Sequence, residues 1–362
     1  MKRSVKIFSL ILLLAGSASA ATLSDDYASE KSKSYTKTYA VGSGDKILLD
    51  NSFGEMKIAT WNKNEIKVDV NITVKANTDE RVQKIMDMIT IEDGKSGSEI
   101  FFKTHMKGDH NNRSDNDDDH KDKNHNSNNN NNRNYNNDDN SSTKINYTVY
   151  LPANATLNAT NQFGPLTIGD YDGAVTLDCR FGTLTTGKLS QSKKVTVQFG
   201  KATIESMNNG KLSVQFSKAQ VNNLSGDIDA NFNQSGGIKL NVGNNIKRLD
   251  IHNDFSTVYL DADKNLSASF NIKTSFGKFS NETAFPVSKE RDDNRWVNTS
   301  SSYSGKSGSG STPININNSF GTIKLVHDMQ FDVNDKSRSR DRDHDDKDKD
   351  KSDKSDKKRT RV

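Results

Sequence analysis

Asp170, Asp172, Asp178 and Arg180 are the residues whose types and spacing come nearest to an active site. Acids and a base on adjacent strands of a β-helix would serve a polysaccharide lyase, which must take a proton and hold the anion left behind. Each of these Asp residues also suits a turn or an exposed strand edge, and the short turns around them leave little to wall a cleft. No phosphate loop, nucleophile elbow or zinc-ligand spacing occurs. The expectation is a non-enzyme, with no catalytic residue, metal or cofactor assigned.

Three further groups invite a chemical reading. His105, His110, His120 and His125, with Asp115, Asp117, Asp118 and Asp119, would chelate divalent cations loosely. The Gly and Glu that a calcium loop needs at its sixth and twelfth positions are absent, so a solvated spacer is the expectation. Cys179 is the only cysteine and has no disulfide partner within the chain; it reads as a small wall residue. Trp296, beside Arg291 and Arg295, would serve either as a sugar-stacking platform or as a plug for an open end.

The elements that must position such residues are written in a repeat. A polar residue, then Phe, then usually Gly recurs as NQFG at Asn161, CRFG, VQFG, VQFS, ANFN, NDFS and TSFG, with NSFG at Asn51 and again at Asn318. From Phe163 through Phe181, Phe199, Phe216, Phe232 and Phe255 to Phe276 the steps are 18, 18, 17, 16, 23 and 21 residues, and Phe320 lies 44 beyond, two units with an insert. A period near 20 marks a stacked architecture in which no unit buries its own apolar face. Val195, Val197 and Phe199 alternate with polar residues, and Ala202 and Ile204 resume one residue late. The expectation is two short strands joined at Gly200, where φ > 0 or a bulge turns the corner. Phe163, Phe181, Phe199, Phe216, Phe232, Phe255, Phe276 and Phe320 would then stack in a core ladder, and Phe199→Ala would cost about 3–5 kcal/mol. Gln162, Arg180, Gln198, Gln215, Asn231, Asp254 and Ser275, just before each Phe, would face outward. With Lys201, Lys218 and Trp296, the residues Gln162, Arg180, Gln198 and Gln215 make the candidate binding surface.

These segments, NSFG, NQFGPLTI, RFGTLTTG, QFGKATIES and NSFGTIKL, resemble the bacterial DUF4097 family, provisionally labelled adhesins, over roughly Ile47 to Leu325 with interruptions. The resemblance implies a β-solenoid in an exported envelope protein and supplies no catalytic residue.

The expected fold is all-β: a β-solenoid of about 16–23-residue Phe-Gly repeats with a small mixed β/α N-terminal cap module. Met1 to Ala20 has a basic start, an apolar run and Ala18-Ser19-Ala20, which reads as a secretory signal peptide. An N-terminal extension (21–45) leads to the cap (46–153). Within the cap, Val82, Ile85, Met86 and Ile89 at helical spacing predict a helix capped by Thr78 or Asp79. Residues 108–142 form an Asn/Asp/His-rich insert too polar to offset its ordering entropy. Solenoid repeats (154–284), a flexible Ser/Gly-rich loop (285–312) and a last rung (313–333) follow. The tail (334–362) mixes twelve Lys/Arg with nine Asp and reads as a disordered polyampholyte.

A net charge of +4 over 362 residues argues against nucleic acid as a partner. Mean hydropathy of −0.84 reflects the insert and tail, and no stretch after the signal has the ~20 apolar residues of a transmembrane helix. At most, KKRTRV at the C-terminus would touch anionic lipid headgroups weakly. The function expected is a non-catalytic element of the bacterial envelope, an adhesin binding polysaccharide or a surface protein through its repetitive polar surface. Alternatives are a periplasmic structural or signalling scaffold and, less favoured, the lyase. Location would be the periplasm, association with the outer membrane, or the cell surface and extracellular space, and the solenoid ends offer edges for self-association.

Overall fold

The computed structural model describes residues 27–107, 140–291 and 299–334. The expected signal peptide, nearly all of the Asn/Asp/His insert, Trp296 and the charged tail beyond Asn334 lie outside the described residues. What is described is all-β apart from one helix, Asp79–Met88, and its 21 strands join in one continuous sheet that is not closed.

Parallel pairing at the repeat distance builds most of that sheet. Thr183–Gln198, Lys201–Gln215, Lys218–Asn233 and Gly237–Asp254 each run from one Phe-Gly corner to the next and pair in parallel with their neighbours. Alternation puts Val195, Val197, Ala202, Ile204 and Met207 inside one unit, with Leu212, Val214, Ala219, Val221 and Leu224 beside them in the next, all buried. We call each unit a rung and name it by its corner residue.

The corner differs from the sequence expectation. Positive φ falls on the phenylalanines themselves, at 50–67° for Phe53, Phe163, Phe181, Phe199, Phe216, Phe255, Phe276 and Phe320. Gly200 is not in the left-handed region. A left-handed residue reverses the side-chain parity of the strand, so Phe points out where strict alternation would send it in. Left-handed backbone at a bulky residue costs roughly 1–2 kcal/mol. It persists because the Phe amides still donate across the stack, Phe181 N to Gln198 O at 2.9 Å and Phe199 N to Gln215 O at 3.1 Å.

Glycine follows for a different reason: a Cβ on Gly182 would sit 1.9 Å from Gly164 O, and one on Gly200 would sit 2.0 Å from Gly182 O. Where Ser replaces Gly, its hydroxyl accepts from the preceding corner, Gly200 N to Ser217 Oγ at 3.0 Å and Ser235 N to Ser256 Oγ at 2.9 Å.

Spatial order departs from chain order at both ends. The Phe53 rung (Lys46–Ser52 and Met56–Trp61) pairs directly with the Phe163 rung (Thr156–Gln162 and Leu166–Ile168). Between them the chain leaves to build the N-terminal layer. There Glu65–Ala76 lies between Ser29–Ala40 and Ser141–Pro152, both antiparallel to it. Thr78 Oγ1 caps the helix by accepting from Arg81 N, and Val82, Ile85 and Met86 are buried beneath it.

At the other end Thr312–Ser319 pairs in parallel with Gly237–Asp254 on one side and Ala268–Ser275 on the other. The Phe320 rung is therefore next to last in the stack, not last, and the 44-residue step holds one rung folded back, not two in sequence. The Ser/Gly-rich stretch read as a flexible loop contains a strand, Ser300–Ser307, antiparallel to Ala268–Ser275. Its backbone groups have a sheet edge to satisfy, which outweighs its loop-like composition.

Candidate binding surface

Nine corners stack in one line: Phe53, Phe163, Phe181, Phe199, Phe216, Gln234, Phe255, Phe320 and Phe276. The eight phenyl rings are 37–60% exposed, so the ladder runs along an outer edge of the stack and not up its core. Five rings from Phe53 to Phe216 are stacked at 4.8–5.2 Å between centroids, with planes within 9° of parallel. Phe255, Phe320 and Phe276 form a second stack at 4.9 Å.

Phe232 does not belong to it. It is fully buried and occupies the inward position that Val214 and Asn253 hold in the adjacent rungs. Gln234, at φ 46°, takes its corner. The signal was present in the spacing: corner to corner, Phe216 to Gln234 to Phe255 is 18 and 21 residues, smoother than the 16 and 23 obtained through Phe232.

The residue before each corner forms one flank of the edge. Ser52, Gln162, Arg180, Gln198, Gln215 and Asn233 are consecutive neighbours in it, followed by Asp254, Ser319 and Ser275. Asn231, expected in this column, lies two residues earlier on the strand because the corner is Gln234. Gln198 Nε2 donates to Gln215 Oε1 at 3.1 Å, tying two rungs through their side chains. Two residues after the corner, Thr183, Lys201 and Lys218 run down the other flank, continued by Gly237 three residues after Gln234, with Glu55 two residues after Phe53 at the first rung and Lys278 at the last. Lys201 Nζ donates to Asn334 Oδ1 at 3.3 Å, where the C-terminal segment crosses this face. That segment is held further along by Lys239, which pairs with Asp261 at 2.9 Å and donates to Met329 O at 2.5 Å.

Just inside the corner, buried asparagines hold the turn at both ends of the stack. Asn51 Nδ2 donates to Asn161 Oδ1 at 2.9 Å, and Asn253 Nδ2 donates to Asn318 Oδ1 at 2.6 Å and to Ser256 O at 3.0 Å. Between them the column is apolar: Cys179, Val197, Val214 and Phe232. Asn253 Oδ1, beside Phe232, has no hydrogen-bond partner.

The acids of the lyase reading do not converge. Arg180 donates to Asp178 from Nε at 3.1 Å and from Nη2 at 2.7 Å. Asp170 accepts from Lys188 N at 2.8 Å and Asp172 from Ser190 Oγ at 2.9 Å, so both act as turn acceptors between rungs. Asp50, two strands away, has its carboxyl pKa raised by burial, opposed by the nearby charges of Lys103, His105 and Arg180. His105 lies 2.6 Å from Glu92. Burial pushes the Cys179 thiol up to about 12, with the Asp178 charge adding to it, which keeps the sulfur protonated and unreactive. A polar cavity of about 270 Å³ is lined by Asn222, Asn223, Asn241, Asp261, Asp263 and Asp328. Lys239 engages Asp261, and Lys264 engages Asp328 at 2.6 Å. Among the described residues, no three His, Cys, Asp or Glu side chains gather as metal ligands, and no helix is long and apolar enough to cross a membrane.

No family model matches the chain. No curated protein matches it either. Among solved structures, it is similar to a provisionally named cell adhesion protein from Clostridium sporogenes, at 13% identity and TM-score 0.24, over 82% of this chain and 100% of that one. It is also similar to two provisionally named adhesins. The one from Bacteroides fragilis has 12% identity and TM-score 0.32, over 81% of this chain and 97% of that one. The one from Parabacteroides distasonis has 10% identity and TM-score 0.28, with the same coverage of each chain. Superpositions this loose assign no function.

Proposed function

We propose that the chain is an exported, non-catalytic β-solenoid of the bacterial cell envelope, an adhesin-type element that binds through one repetitive edge. The observation that carries this reading is the outward phenyl ladder with its polar flanks. Isolated exposed hydrophobic residues are ordinary, but a contiguous apolar strip along a whole edge marks an interaction surface. Gln162, Arg180, Gln198 and Gln215 repeat beside the rings at the strand spacing, so each rung offers the same small contact. Affinity then grows with the number of rungs engaged and not from one pocket. The parallel pairing of successive units and the buried interior between them support a rod that holds these contacts in line.

The test coats beads with the purified exported chain and measures their capture by intact cells and by matrix proteins and polysaccharides. Phe181→Ser with Phe199→Ser is expected to abolish capture while the fold persists. Capture that survives both changes would remove the edge from the function. The competing scaffold reading is separated by protease treatment of whole cells. Protection of the chain until the outer membrane is opened would place it in the periplasm and refute the adhesin reading.

A further inference from the structure

We propose that the partner of the phenyl edge is a second copy of this chain, docked edge to edge and antiparallel; the proposal rests on the binding-edge reading above. Each ring's faces are covered by its neighbours within a stack, so the edge presents ring rims and few open faces. A sugar platform needs open faces, whereas an apolar strip of rims needs apolar area to cover it. Eight rings, each about half exposed, offer about 100 Å² apiece, or ~800 Å² in all, which is the area that each partner contributes to a stable protein interface.

The charges of the two flanks choose the occupant and its orientation. A two-fold axis through the fifth corner, Phe216, lays the first rung of one copy on the ninth of the other and the third on the seventh, with like flanks meeting. On one flank Arg180 stands at the third rung and Asp254 at the seventh. On the other flank Glu55 stands at the first rung and Lys278 at the ninth. Antiparallel docking therefore brings Arg180 to Asp254 of the second copy and Glu55 to its Lys278, each twice. Phe199 meets Gln234 of the other copy, also twice, the one kind of apolar-to-polar contact along the line. Beside the axis the second flank is crossed by each copy's own C-terminal segment, through Lys201 and Asn334, so contact there is made by the rings and the first flank. A parallel arrangement, related by a two-fold along the stack, brings unlike flanks together, so Arg180 would face Thr183 and Lys278 would face Ser275 and none of the four charges would find an opposite partner.

Sedimentation velocity on the exported chain tests this. The parent is expected to be a dimer at micromolar concentration. Asp254→Arg should weaken it about tenfold or more, because Arg180 of each copy then faces a second guanidinium where it had faced a carboxylate. Combining Arg180→Asp with Asp254→Arg should restore the parent affinity. Glu55→Lys and Lys278→Glu, singly and together, repeat the test at sites without the local Arg180–Asp178 pair. A monomer at ~100 μM, far weaker than an interface of this size implies, would overturn the proposal. So would a dimer that neither charge reversal weakens, or a phenyl edge that instead co-sediments with anionic phospholipid vesicles. A monomer whose Phe181→Ser, Phe199→Ser variant still loses bead capture would sink only the self-docking. A dimer with no capture of cells would sink only the adhesin reading.

Discussion

The five-ring stretch from Phe53 to Phe216 and the three-ring stretch at Phe255, Phe320 and Phe276 use the same outer edge but hold it differently from inside. Through Phe163 to Phe216 successive rungs come from successive chain, and glycine lets their backbones close to contact. In the second stretch one rung is inserted from later in the chain, and buried Asn side chains carry the corner hydrogen bonds. The corners of both stretches are thus equivalent in having a left-handed residue followed by Gly or Ser, and the buried Asn is an addition at Phe53, Phe163, Phe255 and Phe320.

The sharpest way to break that equivalence is at the glycines. A side chain at Gly182 meets the backbone carbonyl of Gly164 at 1.9 Å, whereas at Gly277 the nearest atom is the side-chain amide of Asn318 at 2.3 Å and the backbone carbonyl of Gly321 stands at 2.9 Å. Gly182→Ala is expected to cost upwards of ~4 kcal/mol, or to prevent folding, and Gly277→Ala less. Urea titration of both variants checks the order. Next, Phe232→Ala empties a fully buried site and should cost about 3–5 kcal/mol, while Phe199→Ala should cost on the order of 1 kcal/mol. Equal melting shifts for the two would contradict the outward ladder. Asn253→Ala strands the buried Ser256 carbonyl and removes a bond to Asn318, and about 1–3 kcal/mol is expected from a thermal melt.

The smallest effect is alkaline. Because Cys179 ionises near 12 in the fold against an ordinary 9.0, the protonated thiol is favoured by folding. Its contribution is whole below about pH 9 and fades as pH rises toward 12. Stability measured across that window should fall less steeply in Cys179→Ala than in the parent. Tyr147, pushed up to about 12 chiefly by burial, adds a fall of the same sign in both proteins.

Strand positions and inward residues could be read from the sequence because Val195, Val197, Ala202 and Ile204 obey local alternation. The direction of the phenylalanines could not, since one left-handed residue reverses parity and hydrophobicity alone favours the core. Nor could the place of Phe232, where the Phe-Gly phrase had drifted two residues from its corner. The flanking residues before each corner were legible as a column, but Glu55 and Lys278 gain meaning only once the rungs are ordered in space. That order was hidden because parallel pairing partners can come from anywhere along the chain.

A chain made from its N-terminus can lay down the rungs from Phe163 to Phe255 as they emerge. It then makes the Phe276 rung before the one that must lie between it and the rest. Ile314 and Ile316 arrive afterwards to sit between Leu249 and Ile251 on one side and Phe270 and Ile272 on the other. The last-made segment is therefore a keystone. A product ending before Thr312 would leave Gly237–Asp254 with an open edge and Ala268–Ser275 without its parallel neighbour, so the finished fold certifies that synthesis ran past that strand.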